Sequence, residues 1–86
     1  MSQTPSLGRV VLVLVNPITN NGSDSAPATV TRVWEQHQDG SWLVNLKANL
    51  DAPTSSRWFT SVRLFDTEDQ AQAHDGEAAY WPPRTP

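Results

Sequence analysis

The chain contains no cysteine, so it has no disulfide framework, no thiolate metal site and no thiol nucleophile. Long apolar runs are missing as well. The longest, Val10 to Val15, is six residues, where a membrane-spanning helix needs about 20. Asn16-Pro17 follows that run and one Arg precedes it, which makes it a poor signal peptide. Basic residues are scarce: six Lys and Arg stand against nine Asp and Glu, for a net charge of −3. That balance excludes the electrostatic footprint of a duplex-DNA binder. No H-E-x-x-H or comparable metal spacing occurs, no Ser sits in a G-x-S-x-G elbow, and no glycine-rich phosphate cradle is present. The two histidines, His37 and His74, stand in polar contexts beside turns. These absences point away from an enzyme, a cofactor and a membrane, and toward a cytoplasmic binding protein.

What is present is one domain's worth of chain, 86 residues with four Trp. The whole of 1–86 reads as a single small β domain, with 1–7 and 85–86 expected to fray. A domain of this size has a thin stability margin, and without disulfides or metal it often gains stability by oligomerising. The acidity is local. Residues 1–65 are nearly balanced, whereas residues 66–77 hold Asp66, Glu68, Asp69, Asp75 and Glu77 and no Lys or Arg. Such a run reads first as a solvated helix or loop.

The element pattern is that of short strands. Gly8 to Val15 reads as a strand that is apolar on both faces, with Val10, Leu12 and Leu14 on one and Val11, Val13 and Val15 on the other. Both faces of such a strand are covered, and a partner subunit is one expected cover for the second; loop residues or the terminal Trp are the others. Asn16 to Pro27 reads as a long polar loop. Ala28 to His37 and Ser41 to Asn49 form a hairpin around Asp39-Gly40. A two-residue Asp39-Gly40 turn sets Trp34 opposite Asn45 and Val33 opposite Leu46. A three-residue turn, Gln38-Asp39-Gly40, sets Gln36 opposite Trp42 and Trp34 opposite Val44, and is preferred because it collects more apolar residues on one face. In that register Val30, Arg32 and Trp34 share a face. Arg57 to Phe65 is a fourth strand, Asp66 or Thr67 caps a short helix through Ala73, and Ala78 to Trp81 is a last strand stopped by Pro82-Pro83. The expected fold is all-β, an SH3-like small barrel or a curled five-stranded antiparallel sheet with one short helix near the C-terminus.

Several segments in order are Gly8-Arg9-Val10-Val11, Ala26 through Trp34, Val44-Asn45-Leu46, Trp58 with Thr60-Ser61-Val62, and Tyr80-Trp81-Pro82-Pro83-Arg84. Together they resemble a family of small proteins encoded by bacteriophages of actinobacteria. The resemblance implies expression in the cytoplasm of an infected host and brings no settled activity.

Binding is the function the side chains favour. Aromatic faces stack on nucleobases and Arg forks grip phosphates. The candidate ligand-binding residues are Arg32, Trp34, Arg57, Trp58, Arg63 and Trp81, with Asn20 and Asn21 from the polar loop. Trp34, Trp42 and Trp58 also suit a core, and Trp81 is the one least explained by packing. The leading expectation is an oligomeric sponge that sequesters a host nucleotide immune signal of the cyclic oligonucleotide class. The alternatives are a protein–protein interaction module directed at a host defence or virion protein, and a single-stranded nucleic-acid binder.

Overall fold

Five segments rich in Val, Leu, Thr and Trp pair edge to edge until the last meets the first, which closes a barrel in the order β1-β2-β3-β4-β5. The strands are β1 (Val10–Leu14), β2 (Ser25–Gln36), β3 (Trp42–Asn49), β4 (Ser56–Phe65) and β5 (Ala78–Tyr80), with a short helix α1 (Glu68–Ala73) before the last. This is a computed structural model, and it describes residues 4–51 and 56–82. The expected link at Ala52-Pro53, Pro83-Arg84 of the terminal motif and the chain ends 1–3 and 85–86 lie outside the described residues. Residues 4–7 precede the first strand. Pro5 is buried, Ser6 O accepts from Arg9 N at 3.2 Å and Val30 O from Gly8 N at 2.9 Å.

The barrel interior is filled by Val11, Val13, Val30, Val44, Leu46, Val62, Leu64 and Trp81, all in one cluster. A second, smaller cluster lies on the outer side of β1 and β5. There Ala71 of α1 and Ala78 and Tyr80 of β5 are buried, with Leu12, Leu14 and Phe65 packed against them. Of β1, Val10 stays 53% exposed. Val11 and Val13 face the barrel, where the terminal Trp81 packs in the same cluster, and Leu12 and Leu14 face the α1 side. Tyr80 completes this layer, its hydroxyl 2.8 Å from Ser25 Oγ.

All pairings are antiparallel except one. β5 lies parallel to β4, from Arg63 opposite Ala78 to Phe65 opposite Tyr80, which departs from an all-antiparallel sheet. Parallel neighbours need a crossover of about a dozen residues, commonly helical. The acidic segment 66–77 is that crossover. Thr67 caps α1 in a reciprocal capping box with Gln70, and Glu68 and Asp69 sit in its first turn, where negative charge suits the helix dipole.

β2 is longer than its sequence suggested, since it begins at Ser25, and the polar loop is correspondingly shorter. Gln36 lies opposite Trp42 as the three-residue turn requires, but Val44 pairs with Val33 rather than Trp34. Two register shifts in β2 explain this, one between Val30 and Arg32 and one between Val33 and Glu35, each adding a residue against β3. The inward positions consequently run Ala28, Val30, Val33, with a step of three after Val30. Arg32 and Trp34 are turned to the outside, away from the face that Val30 shares with the core.

Candidate functional site

The outer face of β2, β3 and β4 carries the side chains that packing does not use. On β3, Val44, Leu46 and Ala48 point into the core, so Asn45 and Lys47 point out. Asn45 lies opposite Arg32 on β2, and Lys47 lies between Thr29 on β2 and Trp58 on β4. Trp34 joins this face from the second β2 bulge. Its Nε1 donates to Asn45 Oδ1 at 2.9 Å, and the Arg32 guanidinium stacks 3.9 Å from its ring centroid. Trp34 is 47% exposed and Trp58 60% exposed.

Asn45 is what makes this face rigid. It is only 6% exposed, and the same Oδ1 accepts a second bond, from Ser61 N at 2.9 Å. Ser61 sits in a bulge of β4, where Leu46 pairs with Phe59 but Val44 pairs with Val62. Its φ of 58° lies in the left-handed region, a strained conformation for a non-glycine residue. The Asn45 side chain thus ties the bulge in β4 to the indole carried by the bulge in β2.

The other expected site residues are placed elsewhere. Arg57 lies 4.4 Å over the Phe59 ring and 3.6 Å from Glu77 of the acidic crossover. Arg63 Nε donates to Ser41 Oγ at 2.6 Å and its Nη2 to Asp39 at 3.3 Å, at the turn end of the β2–β3 hairpin. Hydrogen bonds from the Ser41 hydroxyl and backbone N–H, aided by the charge of Arg63, hold the Asp39 carboxyl below its usual range. Trp81, expected to be the tryptophan least explained by packing, is a core residue at 4% exposure, with Arg9 5.4 Å from its ring centroid. The expectation is thereby inverted: Trp34 and Trp58 are the exposed pair, Trp42 is half-buried against the core, and Trp81 fills it.

Asn20 is structural. It is 2% exposed, its Nδ2 donates to Ser23 O and Ser25 O at 3.0 Å each, and its Oδ1 accepts from Asp51 N at 2.6 Å. Asn21 is exposed and donates to the Asp51 carboxylate at 3.1 Å. The loop residues are therefore a clasp between the β1–β2 connection and the end of β3, far in role from the tryptophan face. The structure brings together only Arg32, Trp34 and Trp58 of the expected set and adds Asn45 and Lys47, which the sequence reading missed. A signal for Asn45 was present: asparagine is depleted in strands, and here it stands between two core residues.

These features define a small closed β-barrel that presents a tryptophan and cation face from three adjacent strands. No family model, curated protein or solved structure matches the chain.

Proposed function

We propose that the protein is a non-enzymatic binding protein that takes a nucleotide on the outer face of β2, β3 and β4. The observation that carries the reading is the stacked pair of Arg32 and Trp34 at 3.9 Å, with the indole held by Asn45. The guanidinium covers one face of the indole, so a nucleobase stacks on the layered Arg32–Trp34 pair, and the same guanidinium offers charge and its fork to a phosphate. Among the described residues no carboxylate forms an ion pair with Arg32 or Lys47, so both cations are free to meet an anion.

The resemblance to actinobacteriophage proteins supports the finer form of this reading. In that form the protein sequesters a host signal of the cyclic oligonucleotide class in the host cytoplasm, where binding alone suffices. A homo-oligomer in this reading uses the apolar surface left exposed, Val10 of β1 and the two tryptophans. The test is equilibrium dialysis of the folded protein against a panel of cyclic di- and trinucleotides. Depletion of at least one by the wild type, and loss of that depletion in Arg32→Ala, is the expected result. No depletion of any by protein with an intact fold overturns the reading.

A further inference from the structure

The ligand's shape can be taken one step further, on the reading that this face binds nucleotides. Trp34 and Trp58 do not lie side by side. Trp34 is tied to Asn45 from β2, and Trp58 stands opposite Lys47 on β4. Asn45 and Lys47 are two residues apart on the central strand. Neighbouring strands are about 4.8 Å apart and alternate residues on a strand are about 6.8 Å apart. By backbone register Trp34 lies in the bulge between the Val33–Val44 and Glu35–Leu43 pairs, so the two tryptophan positions are offset by two strands across and between three and four residues along, a diagonal of roughly 15 Å.

We infer that the face takes a two-base unit, with one base on the Arg32–Trp34 stack, the other on Trp58, and the linking phosphate within reach of Lys47. Adjacent stacked bases in a helix are separated by about 3.4 Å, so a stacked pair cannot engage both rings. The ligand binds with its bases splayed apart, as unstacked single-stranded nucleotides do on aromatic platforms. Lys47 stands on the central strand directly opposite Trp58, at the Trp58 end of the path that the phosphodiester of a splayed pair takes. Arg32, stacked on Trp34, supplies the second cation. Glu35, opposite Leu43 further along β2, bounds the face on that side and disfavours phosphate beyond Trp34. A single base fills only half of this arrangement, and duplex nucleic acid, whose bases stay stacked, fills none of it.

The experiment compares AMP, the 5′-phosphorylated dinucleotide ApA, cyclic di-AMP and an oligodeoxyadenylate of about ten nucleotides by calorimetry. The dinucleotide is expected to bind about tenfold tighter than AMP or better. Trp34→Ala and Trp58→Ala are each expected to reduce the dinucleotide to the affinity of AMP. Lys47→Gln is expected to weaken the dinucleotide and to flatten its salt dependence. Tight binding of cyclic di-AMP without the oligomer assigns the two-base unit to a free signal molecule; tight binding of the oligomer assigns it to a single strand. Both outcomes support the inference. If AMP binds as tightly as the dinucleotide, or Trp58→Ala leaves dinucleotide binding unchanged, the two-base inference falls while the nucleotide reading stands. If none of the four probes binds the folded wild type, both fall together.

Discussion

Trp34 and Ser61 lie on strands that do not pair with each other, yet both donate to one oxygen, Oδ1 of Asn45, at 2.9 Å each. One buried amide therefore fixes an exposed indole and stabilises a left-handed backbone position across the width of a three-stranded face. A binding platform gains from such anchoring, because the ring loses little further freedom when a ligand arrives.

Asn45→Ala is expected to remove both bonds and leave Ser61 N–H without its partner. The cost is about 2 kcal/mol, which in a domain of this size lowers Tm by roughly 10 °C. Thermal unfolding followed by circular dichroism measures it. The same variant frees the Trp34 ring, so tryptophan fluorescence anisotropy falls even where the fold is retained. An unchanged Tm and anisotropy would show that Asn45 anchors nothing.

The four tryptophans divide sharply in their contribution to stability. Trp81→Ala opens the core and costs about 3–5 kcal/mol, a large part of the stability of a small domain. It is expected to lose cooperative unfolding or to melt far below the wild type. Trp58→Ala is expected to change stability by no more than about 0.5 kcal/mol. Chemical denaturation of the two variants side by side checks the contrast, and equal losses would contradict the placement of both residues.

Asn20 makes three hydrogen bonds from a buried position, donating to two carbonyls and accepting from one N–H. Asn20→Asp keeps the shape but sets a carboxylate against the carbonyls of Ser23 and Ser25. It is expected to destabilise more than Asn20→Ala, whose cost is about 2 kcal/mol. Hydrogen exchange at the Asp51 amide, which loses its acceptor only in the Ala variant, separates the two effects.

Asp39 gives the acid limb of stability a defined contributor. Its carboxyl is held below its ordinary value by Ser41 and Arg63, so the folded state binds a proton there less readily than the unfolded chain. The associated stabilisation is present at pH above the ordinary carboxylate range and is lost as pH falls through and below it. Asp39→Asn is expected to show a smaller drop in Tm between pH 6 and pH 3 than the wild type (about the span of the titration). An identical drop in both would remove Asp39 from the acid response.

The barrel was largely legible in the sequence, and the site only in part, for a reason visible in β2. Alternation marks β1 and β3 well, because Val11 and Val13, or Val44 and Leu46, keep a period of two. In β4 it holds only from Val62 to Leu64, since the bulge puts Phe59, three residues before Val62, on the core face, where a strict period puts Trp58. In β2 the inward residues Val30 and Val33 are three apart, because a bulge intervenes. Reading that stretch with a strict period puts Arg32 and Trp34 on the core face. Bulges lack a compositional mark when the added residues are Thr31 and Trp34 rather than glycine, and the same holds for Ser61 on β4. Trp81 was misread for a different reason. It follows the last strand and precedes a proline, a context that suggests a loose tail, while its Phe65 backbone contact at 3.2 Å and its place in the core are tertiary. The helix cap at Thr67 was legible because capping is local.

The parallel placement of β5 also bears on how the barrel closes. β5 spans residues 78–80 and is the strand that joins β1 to β4. The strand that closes the barrel is thus the one farthest in sequence from β1, and the β1–β5 pairing is its longest-range contact. The β2–β3–β4 meander has local partners and can form before it, while β1 and β4 each keep an unpaired edge until β5 is in place. A chain lacking residues 78–80 leaves both edges open, exposed to pairing with other chains, and does not close the barrel.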